Sequence, residues 1–148
     1  MDWAYLLDSF DGRISRKPFW IAFGVLGIAN LLVYYLAEAI DGDRLSAIFD
    51  LAFTYPQFAI AAKRGQDRNL PPWLVGVVFA LSVVLDLLVV LNLAGSEDEP
   101  SVVAVVLSIA MMVLGVALLI ELGFRRGTVG PNRYGPDPLG PPPVTGQS

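Results

Sequence analysis

Long apolar blocks alternate along the chain with short polar or Pro/Gly-rich stretches. Four blocks stand out: Pro18 to Ile40, about Leu45 to Ala62, Trp73 to Ala94, and Val102 to Phe124. A helix rises about 1.5 Å per residue, so about 20 residues cover the roughly 30 Å hydrocarbon core of a bilayer. The pattern predicts an all-α fold, an integral membrane four-helix bundle. The second block is the weakest of the four. It is short and carries Asp50, Thr54, Pro56 and Gln57, so its competing reading is a re-entrant or interfacial segment. Ahead of the first block, Trp3, Leu6, Leu7 and Phe10 recur at i, i+3, i+4 and i+7 and share one helical face. Met1 to Asp11 therefore predicts a short N-terminal helix stopped by Gly12. It either lies in the membrane interface with Trp3 as anchor or braces the bundle from beneath. Gly65 is expected to end the second long helix, and Pro71-Pro72 to begin the third.

Charge adds direction to this pattern. The 148 residues are 55% hydrophobic and only 16% charged, against about 25% charged in soluble domains. That composition excludes an ordinary soluble enzyme and a disordered chain. Arg13, Arg16 and Lys17 precede the first block, Lys63, Arg64 and Arg68 follow the second, and Arg125, Arg126 and Arg133 follow the fourth. Four spans place all of these on one side, leaving Arg44 on the other with Asp41, Asp43, Glu97, Asp98 and Glu99. Three spans would scatter them, which supports counting the second block. The positive-inside rule then predicts a multi-pass protein with both termini cytoplasmic. A cleaved signal peptide ending near Ala37-Glu38-Ala39 is the rival reading. It fails because the apolar run is too long against the usual 7–15 or so residues. Residues 1–126 read as the membrane domain and 127–148 as a largely irregular cytoplasmic tail. The tail holds six prolines and five glycines, and its first half combines turn formers with Arg133 and Tyr134, a combination suited to docking on the cytoplasmic face.

The chain has no His and no Cys, which excludes disulfides, thiolate nucleophiles and Cys/His zinc sites. No cofactor or metal is expected, and the reading is non-enzymatic. The intramembrane polar residues Asp50 and Asp86 are the sharpest chemical features, since a charge at the bilayer centre costs about 2.5–3.5 kcal/mol. One reading has the two carboxylates at similar depth, sharing a proton on an ion path. The other is structural, with Asp86 hydrogen-bonded to Ser82, Thr54 or Gln57 and Asp50 meeting Arg44. Glu121 and Arg125, spaced i, i+4, predict a local ion pair.

Three segments also carry a resemblance. Gly12-Arg13-Ile14-Ser15-Arg16-Lys17-Pro18-Phe19-Trp20 resembles the GRxSRxxFW motif of a family of small bacterial inner-membrane proteins, known as domain of unknown function 805. Lys63-Arg64, Asp67 and Trp73 resemble its RRLHD…GWW loop, and Gly130 to Pro138 its GxNxYGPDP signature. The chain departs from the middle motif. Gly65-Gln66 stands where the family has Leu-His, and Asn69-Leu70-Pro71-Pro72 replaces a Gly-rich turn. The resemblance implies a four-helix bacterial inner-membrane protein and supplies no function. Together these readings predict a scaffold or accessory subunit. Its basic cytoplasmic face would bind membrane lipids with anionic headgroups, a partner membrane protein or a second copy, and no nucleic acid. Arg13, Arg16, Arg64, Asp67, Asn132, Arg133 and Tyr134 are the residues of that face, with the tail motif folded back so that Asp67 meets an Arg of another cluster. The alternative is a small oligomeric transporter or ion-conducting unit built on Asp50 and Asp86.

Overall fold

A computed structural model describes residues 2–41, 43–96 and 98–140. Its described residues form a short helix, α1 (Trp3–Asp8), and four long ones: α2 (Arg16–Asp41), α3 (Asp43–Asp67), α4 (Pro72–Val90) and α5 (Val102–Gly123). All four long helices are long and apolar enough to cross a membrane. α3 is the second block, so that block is a full helix of 25 residues that passes straight through Pro56.

The helix ends explain where the pattern misplaces them. α3 continues five residues beyond the apolar block, through Lys63, Arg64 and Gln66 to Asp67. Gly65 therefore does not end the helix. Asn69 does, at φ 60°, with Leu70 N–H donating to the Gly65 carbonyl and Asn69 N–H to that of Gln66. That is the paired hydrogen bonding of a left-handed helix stop. Gly65 matters instead for close approach, since a Cβ there would stand 3.0 Å from a Val75 methyl on α4. α4 stops at Val90, short of Ala94, by the same device. Asn92 sits at φ 58°, and Leu93 and Asn92 donate to the carbonyls of Leu88 and Val89. Leu91 and Leu93 are apolar but belong to the turn, so hydropathy alone overruns it. Ser101 caps α5 by accepting from Ala104 N–H at 3.2 Å.

α3 is the central helix. It packs along α2 on one side and α4 on the other, with α1 beneath it, while α5 lies chiefly on α4. α2 and α5 meet narrowly, where Trp20 Nε1–H donates to the Gly123 carbonyl at 3.1 Å. Gly123 is required there, because a Cβ would run into the Trp20 ring. The buried core, Leu6, Ile14, Phe19, Ala22, Ile60, Ala61, Val75 and Leu122, is gathered at this one end of the bundle. Away from it the helices expose large apolar side chains such as Ile28, Leu32, Leu36, Val106 and Met112. Apolar residues all round a helix suit a lipid surround.

Candidate functional site

The basic end is built around one carboxylate. α3 carries Lys63, Arg64, Gln66 and Asp67 past the apolar core, and all four are buried. Asp67 Oδ1 accepts from Arg13 Nε at 3.1 Å and Nη2 at 3.0 Å. Its Oδ2 accepts from Arg64 Nη1. Arg13 lies in the segment before α2, and the rest of its guanidinium clasps the tail. Nη2 donates to the Thr128 carbonyl at 2.7 Å, and Nη1 to those of Gly130 and Gly135 at 2.8 and 3.0 Å. Every N–H of that planar fork thus has an acceptor. Arg64 joins the helix ends, donating to the Leu122, Ile14 and Arg125 carbonyls. Gly127 is the point of closest approach, where a Cβ would run into the Asp67 carboxylate, and Thr128 N–H donates to the Asp67 carbonyl at 2.8 Å.

Secondary clasps complete the plate. Gln66 accepts from Gly12 N–H at 2.9 Å and donates to the Phe10 carbonyl at 2.7 Å. Lys63 donates to the Leu6 and Ser9 carbonyls, which holds α1 beneath the bundle as a brace. Glu121 pairs with Arg125 at 2.9 Å, as the spacing predicts, and also with Arg68 at 2.8 Å. In the tail, Asn132 donates to the Gln66 carbonyl at 2.9 Å and accepts from Tyr134 N–H at 2.8 Å. Asp137 accepts from Leu139 and Gly130 N–H. Those two bonds hold its carboxyl below the ordinary value of 3.8, with smaller help from Arg13 and Arg126.

The expected face residues therefore divide. Arg13, Arg64, Asp67 and Asn132 come together, with the first three buried in the plate. Arg16 is exposed and gives one N–H to the Phe124 carbonyl at 3.3 Å. Arg133 is exposed, stacks on the Tyr134 ring at 4.8 Å and donates to the Asn69 carbonyl. A cavity of about 400 Å³ opens between the start of α2 and the tail, lined by Ser15, Arg16, Arg64, Arg126 and Asp137 among others. Sequence reasoning missed Lys63, Gln66 and Gly127 as clasps. Only their place in a basic cluster and a Gly-rich tail pointed to them.

Asp50 and Asp86 line a second cavity of about 400 Å³, inside the bundle. Three of the partners expected for them are engaged elsewhere, while Gln57 lines the same cavity. Thr54 and Ser82 donate their hydroxyls to carbonyls of their own helices, Asp50 at 2.9 Å and Phe79 at 2.8 Å. Arg44 donates to the Val90 carbonyl at the end of α4. Asn30 of α2, an amide in an apolar run that the pattern passes over, lines the same cavity.

This chain belongs to the family described as protein of unknown function DUF805, whose model matches residues 7–136. That span reaches from α1 to the tail's turn and includes the whole Arg13–Asp67–Arg64 network. The chain is 35% identical over 134 residues to the uncharacterized protein YiiR of Escherichia coli strain K12, covering 88% of this chain and 86% of that protein. The protein of the same name in E. coli O157:H7 is similar to the same extent. No solved structure matches.

Proposed function

We propose that this family member is a non-enzymatic bacterial inner-membrane protein whose basic, cytoplasmic end binds the phosphate of anionic lipid headgroups, and that it serves there as a small scaffold or accessory subunit. The observation that carries the reading is the cavity at the start of α2, where Arg16, Arg126 and Ser15 converge. A helix N-terminus presents unpaired N–H groups and a partial positive charge, a favourable seat for phosphate. Arginine adds bidentate donors. The two carboxylates on the cavity wall are already engaged, Asp67 by two guanidiniums and Asp137 by backbone N–H groups. The buried network supports the reading by holding α2, α3, α5 and the tail in one rigid frame around the cavity.

The test is extraction of the full chain from membranes in lipid-preserving particles, with retained lipids measured by mass spectrometry. The wild type is expected to enrich anionic over zwitterionic phospholipid several-fold, and Arg16→Gln/Arg126→Gln to lose that enrichment. Identical lipid composition in the two samples overturns the reading. A second reading, a small oligomeric transporter or ion-conducting unit, is favoured by the cavity that Asp50 and Asp86 share. Asp86→Asn would then abolish flux in a chain that still folds.

A further inference from the structure

The cavity inside the bundle has an unusual polarity. At one end stand Asn30, Asp50, Thr54, Gln57, Ser82 and Asp86. Asp50 lies seven residues into α3 and Asp86 four residues before the end of α4. Both are therefore about 6–10 Å from helix ends on the acidic side of the bundle. Arg, Lys and His are absent from the described lining, so its charges are carboxylates. Its hydroxyls point the same way chemically. Thr54 and Ser82 have given their hydrogens to backbone carbonyls, which leaves their oxygens as acceptors. Asn30 Oδ1 is buried and has no hydrogen-bond partner among the described residues. A buried acceptor left without a donor is uncommon and calls for a group to satisfy it. The wall toward the basic end is apolar and aromatic, with Phe23, Phe79, Leu118 and Leu122.

We infer that this cavity is a binding site for an amphipathic organic cation, a protonated amine on an apolar body. The ammonium sits among Asp50, Asp86 and Asn30 Oδ1, where its three N–H donors meet acceptors and its charge meets carboxylates. The apolar body lies against Phe23, Phe79 and Leu118. Size selects this class over a bare metal ion. About 400 Å³ is within the usual range for small-molecule sites, roughly 300–1,000 Å³, and is many times the roughly 30 Å³ share of one water. Charge selects it over a phospholipid amine, whose phosphate would be carried in beside the two carboxylates. The site is independent of the headgroup cavity at the other end.

The probe is n-octylammonium, radiolabelled, added to the full chain in nanodiscs of phosphatidylcholine, with empty nanodiscs as blank. A saturable component is expected, displaced by unlabelled octylammonium and not by equal n-octanol or n-octyl sulfate. Asp50→Asn and Asp86→Asn should each weaken it at least tenfold. Gly115 on α5 gives a second variant that spares the carboxylates. It lines the cavity, and a Cβ built there meets nothing within 4 Å. Gly115→Leu should fill the space and remove saturable binding with Tm unchanged or raised. Arg16→Gln/Arg126→Gln should bind the amine as wild type does. No saturable component, equal displacement by octanol, or unchanged binding in Gly115→Leu or in folded aspartate variants overturns the assignment. If the aspartate variants do not fold, the octanol comparison and Gly115→Leu decide it.

Discussion

Asp67 is the residue on which the basic end turns. It is the only carboxylate described in contact with the buried guanidiniums of Arg13 and Arg64. Asn in its place has nearly the same shape, but it leaves two buried cations without a counter-charge. Breaking a buried pair by removing one partner costs about 3–5 kcal/mol, because the remaining charge stays out of water. Asp67→Asn should therefore lower Tm by at least about 6 °C, taking about 2 °C per kcal/mol for a chain of this size. Thermal unfolding followed by tryptophan fluorescence reads this directly. Arg125→Gln is the contrasting variant, since Arg125 is largely exposed in its pair with Glu121. Exposed pairs contribute about 0–1 kcal/mol, so its Tm should shift little. Equal shifts in the two variants would mean that burial of the network does not govern stability.

At the scale of elements, the tail is the part whose attachment can be varied by solvent. Asp137 closes its turn by accepting from Leu139 and Gly130 N–H, which lowers its pKa below 3.8. A carboxylate with a depressed folded pKa stabilises the docked form fully above its unfolded pKa. That contribution is lost as pH falls through the folded value. Docking should thus be flat from neutral pH down to about 5 and weaken only below about 4. Hydrogen exchange at Gly130 and Leu139 from pH 7 to 2.5 would show the transition, and Asp137→Asn should exchange faster at neutral pH with the acid step flattened. An acid step of full size in Asp137→Asn would assign it to another group. How much of this element was legible in the sequence follows from the kind of signal each residue gives. Hydropathy located the four long helices because lipid contact demands apolar residues on every face. It lost α3 at Ala62 because the helix continues in polar residues that are buried against other polar groups. It overran α4 because Asn92 ends that helix through a backbone angle, which leaves no trace in hydropathy. The tail's return to the basic clusters was readable in its turn formers and Arg133. The dependence on Gly127 was not, since only the Asp67 carboxylate pressing on that position makes a side chain impossible there.

For the whole molecule, the unequal use of basic residues bears on orientation. Nine of its ten Lys and Arg gather at one end. Arg13, Lys63 and Arg64 are buried there and Arg68 is half-buried, so these four build the frame. Arg16, Lys17, Arg125, Arg126 and Arg133 are exposed. The opposite end exposes Arg44 together with Asp98 and Glu99. Orientation in a bacterial membrane follows Lys and Arg close to the spans, whatever use the fold makes of them afterwards. The exposed five against one predict the basic end in the cytoplasm, and the headgroup proposal depends on that direction. The absence of cysteine from the sequence makes the test clean. Ser96→Cys places a thiol in the exposed acidic loop and Val129→Cys one on the tail at an exposed position. A membrane-impermeant maleimide added to intact spheroplasts should label Ser96→Cys and leave Val129→Cys untouched until the membrane is opened. The reverse pattern would invert the orientation. It would also remove the anionic cytoplasmic leaflet as the source of headgroups for Arg16 and Arg126, and would turn the carboxylate cavity toward the cell interior.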